Sequence, residues 1–168
     1  VEDHAMLPDE PQAYLLTWTL KGTRLHGDRR GSVDPQHNVF GEPLLGADPV
    51  RAALESRRAK PALRSLDTRA REVVAATLQE VAARRGWTLV AHAARPTHVH
   101  VVVSAPGERA ERVMSDLKAW ATRRLREAAL IGADARPWTR HGSTRYLWKE
   151  QHVAAAVAYV NEGQDVPR

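Results

Sequence analysis

The chain contains no cysteine. Disulfide staples, thiolate zinc sites and cysteine nucleophiles are excluded at once. No apolar run approaches the roughly 18–20 residues needed to span a bilayer, so no membrane partner is expected. The stretch from Val1 to Gln12 is acidic and contains proline, without the basic-then-apolar profile of a secretory signal. These absences point to a cytoplasmic location. Repeats, low-complexity tracts and interdomain linkers are also missing. Residues 1–168 therefore read as a single domain with one core, with 1–12 expected to be flexible.

What is present is a globular composition, 43% hydrophobic and 27% charged, with a net charge of +5 and a pI near 10.1. Arginine greatly outnumbers lysine, and its planar fork suits phosphate bidentately. Between Arg112 and Arg126 stand five basic residues, Arg112, Lys118, Arg123, Arg124 and Arg126, against the single acid Asp116. Such a bias suits a polyanionic partner, although an arginine-rich solvated face has the same composition.

The periodicity predicts a strand over 14–20, then a long irregular connection over 21–47 carrying Gly27-Asp28-Arg29-Arg30-Gly31-Ser32. Asp48-Pro49 opens a short helix to about Arg58. Asp67 caps the next helix, with Val73, Val74, Leu78 and Val81 at helical spacing and Gly86 closing it. Strands follow over 87–92 and 98–104, with 93–97 as their turn. The longest helix covers 108–130, a loop 132–142, a strand 143–148 and a last helix 153–162. Strand, helices, strand, strand, helix, strand, helix is an α+β order. It is the ferredoxin-like βαββαβ antiparallel sheet with helices on one face and one helix appended. That fold hosts many functions, so the site must carry the reading.

His98-Val99-His100 heads a valine run in the third strand. Strand side chains alternate, so His98 and His100 share one face, about 7 Å apart, and can converge on one cation. A hydrogen-bonded core pair would show the same spacing. Tyr159, among Ala154, Ala155, Ala156 and Ala158, lies off the Val153, Val157, Val160 stripe of the last helix. Its ring is not needed as core filler, whereas Tyr14 and Tyr146 sit in strand runs where packing aromatics are usual.

Together these residues resemble the single-tyrosine HUH transposase family. His98-Val99-His100 with its valine run is similar to the HUH motif. Tyr159-Val160-Asn161-Glu162-Gly163-Gln164 is similar to the family's nucleophile-bearing helix. Trp18 to Gly22 leading into Gly27-Asp28 is similar to the subset called REP-associated tyrosine transposases. The resemblance runs from about Tyr14 to Gln164. It implies a metal-dependent DNA endonuclease and strand transferase of the HUH endonuclease fold, its C-terminal helix carrying the catalytic tyrosine, Tyr159. The expected reaction is sequence- or hairpin-specific cleavage of single-stranded DNA through a 5′-phosphotyrosine intermediate. Mg²⁺ or Mn²⁺ would be held by His98, His100 and a third ligand. Here the chain departs from the pattern, because the position one turn after Tyr159 is Gly163. Resemblance favours Gln164, whereas helix geometry favours Glu162. Arg112, Lys118, Arg123 and Arg126 would track the DNA backbone, Asp28, Arg29 and Arg30 would read bases or grip a hairpin stem, and Trp138 could stack a base. The expected partner is single-stranded DNA with a hairpin, the protein being a nucleoid-associated monomer or homodimer. The rival readings are a DNA-hairpin-binding protein that no longer cuts and an RNA-processing phosphoesterase using paired histidines.

Overall fold

Asp67 starts the first described helix by accepting a 2.8 Å hydrogen bond from the Ala70 amide, which satisfies one of the donors every helix start leaves open. This helix, α1, runs Thr68–Arg85 and stops at Gly86, whose φ of 72° is left-handed. Only there is glycine's freedom needed to end it, and the Trp87 amide closes the cap on the Ala82 carbonyl at 2.9 Å. The computed structural model describes residues 9–21 and 63–162. The expected helix to Arg58 and nearly all of the 21–47 connection lie outside them.

Four strands form one antiparallel sheet: β1 (Ala13–Thr19), β2 (Thr88–Ala94), β3 (His98–Ser104) and β4 (Ser143–Leu147), in the order β2-β3-β1-β4. Helix α2 (Ala110–Glu127) crosses from β3 to β4, and α3 (Glu150–Glu162) follows β4. This is the split βαββαβ arrangement with an added helix, as the element order implies.

Alternation sorts the strands between two cores. Leu16 and Trp18 of β1 and Val99, Val101 and Val103 of β3 pack under α1 and α2, against Val74, Leu78, Val113, Leu117 and Leu125. The intervening residues Ala13, Leu15 and Val102, with Ala91 and Leu147, face α3 through Ala156 and Val160. The two strands are therefore buried on both sides, which is why β3 reads as a continuous valine run. Across the first core, Arg124 grips Glu80 with two hydrogen bonds of 3.2 and 2.6 Å and ties α2 to α1.

Several boundaries differ from the periodicity. Strand β2 continues to Ala94, because the Arg95 amide closes a tight turn on the His98 carbonyl at 2.8 Å. A register shift between Leu89 and Ala91 pushes Val90 out of the ladder, leaving it exposed. Helix α2 ends at Glu127, not 130, since Ala129 takes a φ of 58°. Of the alanines around Tyr159, only Ala156 is buried in the packing of α3.

The segment before β4 is laid against β1. Trp138 bridges to Leu20, and the Thr139 amide donates to the Thr19 carbonyl at 3.0 Å. At Gly142 a Cβ would stand 2.5 Å from the Thr17 carbonyl oxygen and 2.7 Å from Met114 Sδ. The first neighbour is backbone of an inner strand and cannot yield. Gly142→Ala should therefore destabilise the fold by about 1–3 kcal/mol, the usual cost of overpacking. Urea denaturation of the two proteins checks this, and an unchanged midpoint would show that the segment is not held there.

Candidate functional site

The inner strand β3 presents His98 and His100 to the α3 side, and β1 supports them from the neighbouring position. Thr17 lies opposite His100 and Thr19 opposite His98. The Thr17 hydroxyl shares a 2.8 Å hydrogen bond with His100 Nδ1, and the Thr97 hydroxyl a 3.1 Å bond with His98 Nδ1. Each imidazole is thus held through the same ring nitrogen, which sets its orientation and makes Nε2 the nitrogen it would offer a cation.

The ring centroids of His98 and His100 are 4.7 Å apart, edge to face. Two imidazoles on one divalent cation place their centroids roughly 4.5–5 Å apart, given N–metal bonds of about 2 Å. The pair therefore fits a shared cation in spacing and in donor chemistry. His100 is 3% exposed and His98 half-buried, so approach is from the His98 side. Among the described residues no group of three His, Asp or Glu side chains forms a metal site. Glu162, exposed at the end of α3, does not complete one with the histidines. Gln164 lies outside the described residues, as do Asp28, Arg29 and Arg30.

Tyr159 is brought to the pair. Its ring stands edge-on to His100 with centroids 5.6 Å apart, yet it remains 48% exposed. The helix turn that carries it is fastened to the β2–β3 hairpin, where Arg95 Nη2 donates to the Val160 carbonyl at 3.4 Å. A guanidinium at the last turn of a helix also meets the negative end of its dipole. One hairpin thereby places both the first histidine and the tyrosine's helix end.

The basic residues of α2 are not brought to this site. They lie across the sheet from it, because α2 packs on the opposite core. Arg112 faces Glu108 at 3.6 Å. Arg123 faces Glu127 at 3.2 Å and lies over the Trp120 ring at 5.0 Å. Arg126 donates to the Ala135 carbonyl at 2.7 Å. Lys118 points its ammonium at the Thr139 carbonyl at 2.7 Å, with the Arg140 and His141 carbonyls at 3.4 and 3.5 Å, and its burial lowers its pKa below the usual lysine value. It is a tether for the segment before β4.

Two aromatic expectations are corrected. Trp138 is buried, 8% exposed, with its indole N–H donated to the Lys118 carbonyl at 3.2 Å, so it offers no face to a base. Tyr146 is 44% exposed, whereas Tyr14 is core. An edge strand leaves one side of its aromatics to solvent, and alternation in the sequence does not mark which strand lies at the edge.

No family model matches the sequence, and no curated protein matches it. Among solved structures the chain is similar to a REP-associated tyrosine transposase bound to a REP hairpin, at 12% identity and a TM-score of 0.48. That likeness covers 90% of this chain, which spans 65% of the other's length. It is also similar to a Deinococcus radiodurans R1 protein provisionally named a transposase, at 18% identity and a TM-score of 0.48, over 93% of each chain. Among the described residues no helix is long and apolar enough to cross a membrane.

The threonine bonds make a specific demand. Thr17→Val keeps the branch but removes the hydroxyl, leaving a buried imidazole nitrogen unsatisfied at a cost of about 1–3 kcal/mol. Ring ¹⁵N shifts should move for His100 only, whereas Thr97→Val should move those of His98 only and Thr17→Ser should restore the native pattern. Mn²⁺ affinity measured by calorimetry should fall about 10–100-fold in each valine variant. Unmoved shifts would show that the hydroxyls do not orient the rings.

Proposed function

We propose that the chain cleaves single-stranded DNA and transfers the broken strand, with Tyr159 as the nucleophile. The observation that carries this reading is the edge-to-face cluster of His98, His100 and Tyr159, with centroids 4.7 and 5.6 Å apart, in which the phenol stays half exposed. Tyr159 stands off the packed residues of its helix and against the histidine pair. The order of motifs along the chain, resembling the single-tyrosine HUH transposases, agrees with that geometry.

In the reaction, the Tyr159 phenolic oxygen forms a bond to phosphorus and its proton passes to solvent, which its exposure allows. The bond from phosphorus to the 3′ oxygen breaks in line, and that oxygen takes a proton to become a free 3′-hydroxyl. The 5′-phosphate stays on the tyrosine. One phosphodiester is exchanged for another, so no ATP is required and the reverse step rejoins strands. His98 and His100 would hold Mg²⁺ or Mn²⁺ with Gln164 as third ligand, and the ion would supply Lewis-acid polarisation of the phosphoryl group. An unassisted phenol, with a pKa of about 10 in water, is a weak nucleophile at neutral pH. Thr17 and Thr97 keep the imidazoles aimed, and the Arg95 contact keeps the tyrosine over them.

Tyr159→Phe deletes the single oxygen on which this depends while keeping the ring against His100. It should retain fold and DNA affinity and lose all covalent adduct with a labelled hairpin oligonucleotide on a denaturing gel. Tyr14→Phe and Tyr146→Phe should keep adduct formation. Adduct surviving in Tyr159→Phe would refute the assignment. Free products without adduct in the native protein would mean hydrolysis, as by an RNA-type phosphoesterase, and binding without cutting would mean a hairpin-binding protein only.

A further inference from the structure

The face of the sheet that carries the histidines can be followed row by row through the strand register. One row holds Ser143 of β4, Thr17 of β1 and His100 of β3, and the next holds Arg145, Leu15 and Val102. Leu15 and Val102 belong to the core beneath α3. Arg145 therefore stands on the Tyr159 side of the sheet, two strands across and one pleat repeat along from His100. With strands about 4.8 Å apart and a repeat of about 6.8 Å, the two Cα atoms are roughly 12 Å apart.

Among the strand positions of this face, Arg145 is the one lysine or arginine. It is exposed, and among the described residues no carboxylate pairs with it. The arginines of the helices differ, being held by Glu80, Asp116, Glu108 and Glu127. Helix α3 covers β2 and β3, so the open part of the face is the floor over β1 and β4. Its strand positions beside the histidines, Thr17, Thr19 and Ser143, offer hydroxyls and no acid. An anion laid over that floor toward the exposed phenol of Tyr159 meets one guanidinium and no like charge among these positions. β4 is also an edge strand, where any charge deters pairing with another sheet. A fork that takes two phosphate oxygens at once is particular to arginine.

We propose that Arg145 anchors the phosphodiester next to the scissile one and so sets which phosphate lies at Tyr159. The inference rests on the proposed cleavage reading and adds to it the residue that fixes the register of the strand. An extended arginine covers part of the span to His100 and stops short of the rings. Its reach suits the neighbouring phosphate better than the one that Tyr159 attacks.

The probe is a labelled hairpin oligonucleotide with a single-stranded flank, made as a set in which one flank phosphate at a time is a neutral methylphosphonate. Equilibrium binding is measured with the full chain carrying Tyr159→Phe, so that no cleavage intervenes. Adduct formation by the native chain maps the scissile position. Neutralising the anchored phosphate should weaken binding at least about tenfold, as expected for a hydrogen bond between charged groups. Adding Arg145→Gln should weaken binding of the unsubstituted oligonucleotide by a similar factor and make that one position silent, while the others keep their effects. Arg145→Lys should retain part of the effect. Arg112→Gln, across the sheet, should leave the pattern unchanged. The anchor is overturned by the absence of a silenced position, by equal weakening at every position, by a silenced position more than one nucleotide from the adduct phosphate, or by no binding of any probe. Self-association of Arg145→Gln with an intact phosphate pattern would also overturn it and leave the residue a guard of the sheet edge. Adduct in the native chain without a silenced position removes the anchor alone. A silenced position without native adduct removes the cleavage reading and leaves Arg145 a phosphate contact.

Discussion

The alternation of side chains along β3, an inner strand covered on both faces, is the constraint on which the rest depends. Because Val99, Val101 and Val103 are committed to the core under α1 and α2, His98 and His100 have no choice of face. A slip of one residue would drive two imidazoles into an apolar core and bring three valines beneath the tyrosine. The burial of three valines, each worth about 1.5–3 kcal/mol, far exceeds anything the histidines gain locally, so packing on one face fixes chemistry on the other. Strands β2 and β1 pair with β3 on either side, and the backbone beneath the rings is correspondingly rigid.

That rigidity makes the burial of His100 tolerable and useful. An unpaired imidazole at 3% exposure would cost more than a surface histidine ever does. The Thr17 hydroxyl offsets that cost by occupying Nδ1, and the same bond removes the ring's freedom to turn. Stability and orientation come from one interaction. A valine at position 17 would fit the same strand, so the choice of threonine there reflects the ring it faces. Tyr159 meets the opposite situation: α3 anchors itself through Ala156 and Val160, leaving the phenol outside the packing and able to meet a bulky substrate.

Much of this was legible in the chain. Period-two alternation placed His98 and His100 on one face, and the stripe of Val153, Val157 and Val160 left Tyr159 off the core. The Asp67 cap and Gly86 stop were readable because each satisfies a local backbone requirement. What the sequence hid was non-local. A helical wheel puts Arg112 and Arg123 opposite the apolar stripe, with Glu108 and Glu127 one turn away, yet says nothing of the sheet standing between them and the histidines. Lys118 reads as one more cation, but its carbonyl partners come from residues more than twenty positions on. Trp138 lies in a polar stretch and still is core, because a bridge to Leu20 pulls it in. The threonine partner of His100 carries no sequence signal, since position 17 becomes a neighbour of position 100 only when the register is known.

Charge in this chain is therefore informative only after subtraction. Positive residues spread over the surface suggest a polyanion in general, and the helices seem the richest source when composition is counted. Once each guanidinium is set against its nearest carboxylate, most of the charge at the helical positions Arg84, Arg85, Arg112, Arg123 and Arg124 is offset by Glu80, Asp116, Glu108 and Glu127. Among the described residues, exposed arginines without a carboxylate partner beside the strand that supports the histidines stand in the segment before β4, at Arg136 and Arg140, and on β4 itself, at Arg145. Helix α3 roofs the sheet on its β2 and β3 side. On the face that carries Tyr159, an approach over β1 and β4 passes the hydroxyls of Thr17, Thr19 and Ser143, whereas helix α3 covers the β2 side. The folded arrangement thus gives the site a direction that no single motif contains.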